Sequence, residues 1–202
     1  MEIWSVFLHN ALQTRPAEWV STVMQVASVW YAAKNKILVY PTGMVGVAIA
    51  AWLYFFEANP PLYADALLNV YYFILSVYGW YNWVQKKNNH FVYPVQWCTN
   101  KERLSGTVVF LFSWLVVYWA LINTNSNTPI LDSLVSSTAV TSMWWMAKRK
   151  MENWIAWIIS NLVAIPLNFY KGFMLFTVMY MLFLVMAIMG FLSWKKMVSS
   201  ND

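Results

Sequence analysis

Charge is what this sequence has least of. Only 10% of its 202 residues are Asp, Glu, Lys or Arg, against 60% hydrophobic ones, and the mean hydropathy is +0.48. A soluble domain carries about 25% charged residues, so this chain could not clothe a water-facing surface of its own. Cysteine is equally scarce. Cys98 stands alone, which excludes an intramolecular disulfide framework and any multi-cysteine metal site. His9 and His90, the two histidines, lie outside the hydrophobic runs and form no proton relay. Glycine-rich phosphate loops, paired carboxylates and nucleophile motifs are missing, so a membrane enzyme is the least favoured class and no cofactor or metal is expected. The excess of +5 does not point to nucleic acid, because the basic residues punctuate hydrophobic runs as membrane topology requires.

Those runs define the fold class. Uncharged stretches of 15, 20, 20, 28, 15, 18 and 23 residues separate Glu18 from Lys34, Lys36 from Glu57, Asp65 from Lys86, Arg103 from Asp132, Asp132 from Lys148, Glu152 from Lys171 and Lys171 from Lys195. A spanning helix needs roughly 17–25 mostly apolar residues. Seven transmembrane helices use nearly the whole chain and leave no room for a soluble domain. The fifth run is rich in Ser and Thr, which suits a helix buried among others.

Loop charges set the expected orientation. Eleven of the 13 Lys and Arg follow odd-numbered spans, and only Arg15 and Lys171 lie on the other side. The positive-inside bias therefore predicts an N-terminus outside and a C-terminus in the cytoplasm. Glu57, Asp65, Asp132 and Lys171 fall near outer span ends and read as solvated helix ends. Ile3, Trp4, Phe7, Leu8, Ala11 and Leu12 recur at helical spacing and predict an interfacial amphipathic segment over residues 1–16.

The chain also repeats itself. Ser28-Val29-Trp30-Tyr31-Ala32-Ala33-Lys34-Asn35-Lys36 aligns with Ser142-Met143-Trp144-Trp145-Met146-Ala147-Lys148-Arg149-Lys150, and Tyr78-Gly79-Trp80-Tyr81-Asn82-Trp83 aligns with Met189-Gly190-Phe191-Leu192-Ser193-Trp194. The expected fold is thus an all-α membrane protein in which two parallel three-helix repeats are joined by a central helix. Its predicted parts are the N-terminal segment (1–16), the first repeat (17–85), a cytoplasmic loop (86–104), the linker helix (105–128), the second repeat (129–196) and a C-terminal tail (197–202). A substrate site is expected near mid-membrane between such halves.

Uncharged polar and aromatic residues mark that site. Trp154, Trp157 and Asn161 are spaced i, i+3, i+7 and share one face of the sixth span. On the third span Asn69, Tyr72, Phe73, Ser76, Trp80 and Trp83 follow the same spacing, and the repeat pairs Tyr180 with Asn69. Amides in hydrocarbon must face a helix or a cavity. Trp157 and Trp80 are read as pocket residues, whereas Trp83 and Trp194, beside lysines, are read as interfacial-belt residues. The first repeat carries Tyr40, Gly43 and Val47 where the second has Trp154, Trp157 and Asn161, so the pocket is expected to be asymmetric. Aromatic faces and amides suit a flat, uncharged or cationic ring bearing a sugar. A phosphorylated ligand would need Arg or Lys there.

The string Glu152-Asn153-Trp154-x-x-Trp157-x-x-x-Asn161, the Tyr78-Gly79-Trp80-Tyr81-x-Trp83 end of span three and Asp132-Ser133 opening span five resemble the PnuC family of nicotinamide riboside transporters. The resemblance covers residues 18 to 196. It implies a seven-helix, three-plus-one-plus-three architecture similar to that of the SWEET sugar transporters. It further implies facilitated diffusion of nicotinamide riboside across the bacterial inner membrane, with trapping by a cytoplasmic kinase. By that resemblance Trp154, Trp157 and Asn161, and with them Asn69, carry over to the substrate site; spacing and the repeat add Tyr72, Trp80 and Tyr180. The partners implied are a small-molecule substrate and the lipid bilayer, and a homo-oligomer is compatible with the sequence. Thiamine, riboflavin or a small sugar on the same scaffold are the alternative substrates, and a membrane-embedded structural or receptor subunit is the alternative class.

Overall fold

The structure is a computed structural model that describes residues 12, 14–59, 61–123 and 126–199. The amphipathic segment expected over residues 1–16, and with it His9, lies almost wholly outside the described residues. Seven helices follow in order: α1 (Pro16–Ala33), α2 (Val39–Trp52, continued by a π turn over Leu53–Glu57), α3 (Tyr63–Val84), α4 (Asn100–Ile122), α5 (Pro129–Met146), α6 (Glu152–Tyr170) and α7 (Met174–Ser199). A two-residue hairpin, β1 (Lys86–Lys87) and β2 (His90–Phe91), lies between α3 and α4. The fold is all-α, as expected.

Proline opens the first helix of each half, Pro16 for α1 and Pro129 for α5, where its missing N–H has no helical partner to lose. The linker helix α4 begins at Asn100 rather than at residue 105. Thr99 and Glu102 form a reciprocal cap there, with Thr99 N donating to Glu102 Oε2 at 2.8 Å and Glu102 N to Thr99 Oγ1 at 3.4 Å. α2 with its π turn, α4 and α7 are long and apolar enough to cross a membrane by length and composition. α4 packs on α5 and turns Leu104, Val108, Phe112, Leu115 and Trp119 outward. α5 is the reverse case. Ser133, Ser137, Thr138, Thr141 and Ser142 are all buried. Their hydroxyls turn back onto their own helix, as in Ser137 Oγ to Ser133 O (2.7 Å), Thr141 Oγ1 to Ser137 O (2.9 Å) and Ser142 Oγ to Thr138 O (2.7 Å).

The two halves repeat the same helix pairings. α1 packs on α2 as α5 packs on α6, α2 on α3 as α6 on α7, and across the seam α1 meets α7 as α5 meets α3. The turns after α1 and α5 have the same form, with Asn35 at φ 52° and Arg149 at φ 53°. Each is closed by matching bonds, Lys36 N to Tyr31 O (2.9 Å) and Lys150 N to Trp145 O (3.0 Å). Lys34 lies over the Trp30 ring at 4.2 Å and Lys148 over Trp144 at 3.9 Å. Within the halves, Ser21 Oγ donates to Gly46 O (2.8 Å), and at the equivalent place Ser160 Oγ donates to Val135 O (3.1 Å), with donor and acceptor helices exchanged.

The basic end of the seam, where the lysines cluster, is closed by four rings. Trp83 and Trp194 meet at 5.9 Å. Trp83 packs edge-on against Tyr40 (5.1 Å, 85°), and Trp194 edge-on against Trp154 (5.4 Å, 89°). Tyr40 and Trp154 each occupy a notch left by a glycine. A Cβ on Gly79 would fall 2.4 Å from Tyr40 Oη, and one on Gly190 would fall 2.5 Å from the Trp154 ring. The indoles then cross over: Trp83 Nε1 donates to Met146 O of the second half (3.2 Å), and Trp194 Nε1 to Ala32 O of the first (2.9 Å). Those carbonyls belong to the last turns of α5 and α1 and also accept from the turns that follow (Arg149 N to Met146 O and Asn35 N to Ala32 O, both 2.9 Å), so each indole is a second donor brought from the other half. Each half is thereby tied to a helix end of the other. Trp83 and Trp194 are 1% and 0% exposed, so they are not belt residues. A belt tryptophan needs a face toward lipid headgroups, and these have none.

The connection from residue 85 to residue 99 is strapped across that end. Gln96 bridges the turn between α5 and α6 (Gln96 N to Arg149 O, 3.3 Å; Met151 N to Gln96 O, 3.0 Å). Arg149 is buried, donates to Tyr93 O (3.0 Å) and Trp83 O (3.5 Å), and stacks on Trp83 (4.3 Å) and Phe91 (4.5 Å). Burial pulls its guanidinium down to about 10, so it remains charged at neutral pH. Lys150 pairs with Glu102 at 2.8 Å, and Glu152 holds both Cys98 N (2.9 Å) and Arg103 Nε (3.1 Å). Burial, followed by the Glu152 carboxylate, pushes the Cys98 thiol well up from its ordinary value. Thiolate is the reactive form. Cys98 is therefore expected to resist maleimide at pH 8 in the folded protein and to react fully once denatured, as mass spectrometry would read. Fast labelling of the native protein would mean that the strap is open.

Candidate functional site

Beyond the ring plug, the seam between α3 and α6 carries most of the residues singled out by the sequence. Tyr72 on α3 and Trp157 on α6 are half-buried and face each other across the halves, ring centroids 6.5 Å apart at 53°. Tyr71 anchors this stretch of α3 to the second half by donating its hydroxyl to Val140 O on α5 (3.0 Å). One helical turn beyond Trp157, Asn161 is 2% exposed, and its amide makes no hydrogen bond among the described residues. An amide so placed is available to a ligand. Asn69 is buried on α3, with its Nδ2 donating to Asp65 O one turn back (2.9 Å). That leaves its oxygen as the free function. Tyr180 on α7 is half-buried and in electrostatic reach of Tyr72. Five of the seven predicted residues thus come from three helices and both halves.

The other two are placed differently. Trp154 is completely buried in the Gly190 notch, and its ring is occupied by Trp194. It forms the floor beneath Trp157 rather than a wall of the same space. Its Nε1 has no hydrogen-bond partner among the described residues. Trp80 is 40% exposed on the outward side of α3, near exposed Phe73, Val77 and Val84. The buried stripe of that helix runs through Ala66, Asn69, Ser76, Gly79 and Trp83, and Trp80 sits at its edge. The i, i+3, i+4 spacing identified the face but not its width.

The acidic end of the seam closes on an ion pair. Lys171 Nζ donates to both carboxylate oxygens of Asp132 (2.6 and 2.7 Å), and Ser126 and Thr128 hydroxyls donate to the same group (2.9 and 3.1 Å). Asp132 and Lys171 are therefore not simply solvated helix ends. Arg15 likewise bridges Glu18 and Glu57. Asp65 and Tyr54, at the ends of α3 and α2, complete this end and lie in electrostatic reach of Tyr180.

Two features escaped the sequence reading. One is the plug of Tyr40, Trp83, Trp154 and Trp194, whose signal was present: each half places glycine four residues before its tryptophan, Gly79 before Trp83 and Gly190 before Trp194. The other is the strap over residues 85–99, which has no periodic signal. No group of three or more metal-capable side chains occurs among the described residues. An open groove of about 610 Å³ on α7, lined by Met189, Leu192, Ser193, Lys196 and Met197, contains none of the site residues.

Comparison with known proteins follows the same lines. A family model described as nicotinamide mononucleotide transporter matches residues 15–196. The nicotinamide riboside transporter PnuC of Escherichia coli (strain K12) is 24% identical over 203 aligned positions, covering 88% of this chain and 84% of the relative. The protein of that name from Neisseria mucosa is 22% identical over 219 positions, covering 98% of this chain and 78% of the relative. A solved structure titled the crystal structure of the vitamin B3 transporter PnuC has the same fold, with a TM-score of 0.71 at 21% identity over 99% of this chain and 89% of that one.

Proposed function

This chain belongs to the nicotinamide mononucleotide transporter family, which includes the PnuC proteins, and from that premise we propose that it carries nicotinamide riboside across the bacterial inner membrane. The observation that carries the choice of substrate is the lining of the seam. Tyr72, Trp157 and Tyr180 offer aromatic faces, Asn69 and Asn161 offer amides, and none of the five is basic. A pyridinium ring suits aromatic faces, and a carboxamide and ribose suit amides and hydroxyls. A phosphate does not. The basic residue near this space, Lys171, already spends its ammonium on Asp132.

The proposed route runs between the halves, which rock against each other about the site. The basic end faces the cytoplasm by its charge, with the C-terminus on that side and the N-terminus outside. In the present conformation the ring plug closes that side. Carboxylates lie in the first turns of α3, α4, α5 and α6 rather than in their middles. Ion-coupled carriers use intramembrane charges, and their scarcity here supports facilitated diffusion. Phosphorylation in the cytoplasm would then trap the product, since the phosphorylated form fits no group in the seam.

Calorimetric titration of the purified protein tests the proposal. Nicotinamide riboside is expected to bind saturably. Nicotinamide mononucleotide is expected to bind about 100-fold more weakly, because an unpaired buried charge costs about 3 kcal/mol or more. Equal binding of the mononucleotide, or a preference for thiamine or riboflavin, would reassign the substrate.

A further inference from the structure

We infer that the basic end of α7 carries a site for one anionic phospholipid, with Lys195, Lys196 and the Ser193 hydroxyl on its phosphate and the outward face of the helix against its acyl chains. The groove of about 610 Å³ on α7 is lined by Met189, Leu192, Ser193, Lys196 and Met197, which recur at i, i+3, i+4, i+7 and i+8 and so share one helix face. A second groove of about 390 Å³, lined by Leu192, Lys195, Lys196 and Ser199, adjoins it and shares Leu192 and Lys196. Both lysines are exposed, and among the described residues neither side chain makes an ion pair or a hydrogen bond. The Ser193 hydroxyl is equally unengaged. Trp194, by contrast, is buried in the ring plug on the other side of the helix.

What leads up to these groups identifies the ligand. Met181, Val185, Ile188 and Leu192 are exposed at i, i+4, i+7 and i+11, an apolar stripe that ends at the lysines. From Met181 to Leu192 the helix rises about 16 Å. That is close to the hydrocarbon depth of one leaflet, half of about 30 Å. A stripe one leaflet deep that ends in two free ammonium groups and a hydroxyl matches a phospholipid in shape and in charge. A choline headgroup would set a second cation beside the lysines, whereas a glycerol headgroup leaves the phosphate charge uncompensated for them. The internal repeat provides a contrast. Aligned on Trp83 and Trp194, α3 has Val84 and the residue after it, Gln85, in place of Lys195 and Lys196. Asn82, in place of Ser193, already donates its amide to Ala147 O (3.0 Å). The site therefore belongs to the second half alone.

Native mass spectrometry of the full chain in neutral detergent, titrated with phosphatidylglycerol or phosphatidylcholine, provides the test. One phosphatidylglycerol is expected to be retained in preference to phosphatidylcholine. Lys196→Gln should weaken it about fivefold and the double variant Lys195→Gln, Lys196→Gln about 30-fold, while Lys196→Arg keeps the charge and most of the affinity. Removing the same charge elsewhere on this end, with Lys34→Gln and Lys36→Gln together, should leave retention unchanged. Equal losses in the two double variants would overturn the inference, because attraction would then belong to the whole basic end. Equal retention of the two lipids would overturn it as well, and so would displacement of the lipid by glycerol 3-phosphate, which lacks the chains that the stripe is inferred to hold.

Discussion

Trp194→Ala protein, purified in detergent, is expected to lose about 3–5 kcal/mol of stability, the range for deleting a buried tryptophan side chain. The loss has three sources. The side chain is fully buried, it packs against both Trp83 and Trp154, and its indole N–H caps the Ala32 carbonyl. Trp194→Phe keeps most of the packing and removes the bond, so it should cost about 1 kcal/mol. Because the halves match, Trp83→Ala should behave alike, through Tyr40 and the Met146 carbonyl. Removing both rings should cost less than the sum, since the two touch. Thermal melts of the four variants provide the measurement. A Trp194→Ala variant that melts with the parent would show that the plug does not hold the halves together.

Trp157→Ala and Asn161→Ala should do the opposite: leave the melt nearly unchanged and remove binding. Trp157 is half-buried and meets Tyr72 across the seam, so truncating it opens space without stripping a helix cap. A desolvated cation–π contact is worth about 2 kcal/mol or more, or about 30-fold in affinity. Asn161 makes no side-chain hydrogen bond among the described residues, and its loss should weaken binding about tenfold, the worth of a hydrogen bond near the top of the usual range. Calorimetry with nicotinamide riboside reads both. Parent-like affinity in the two variants would empty the proposed site of its main members.

Membrane architecture was legible because it is written in charge. The uncharged runs placed six of the seven helices within a few residues, and the repeat predicted the pairwise match between Asn35 and Arg149 and between Trp83 and Trp194. The linker start was misplaced because a polar capping turn, Thr99 to Glu102, does not look apolar. Aromatic residues were the harder case. Trp80, Trp83, Trp154 and Trp157 all satisfy helical spacing, yet one faces outward, two form a plug and one lines the seam. Spacing gives a face. It does not give depth, and depth separates a belt from a plug and a plug from a pocket.

The reciprocal caps also bear on how the chain is made. The Ala32 carbonyl that ends α1 waits for an indole 162 residues further on. At about 5–20 residues per second, that interval is on the order of 10–30 s of translation. During that time the first half sits in the bilayer with its own tryptophan, Trp83, waiting for a carbonyl of α5. The first half is not tied to the second at both helix ends before the last helix arrives, and a ribosome that stops short of α7 leaves the Ala32 carbonyl without its indole from the other half.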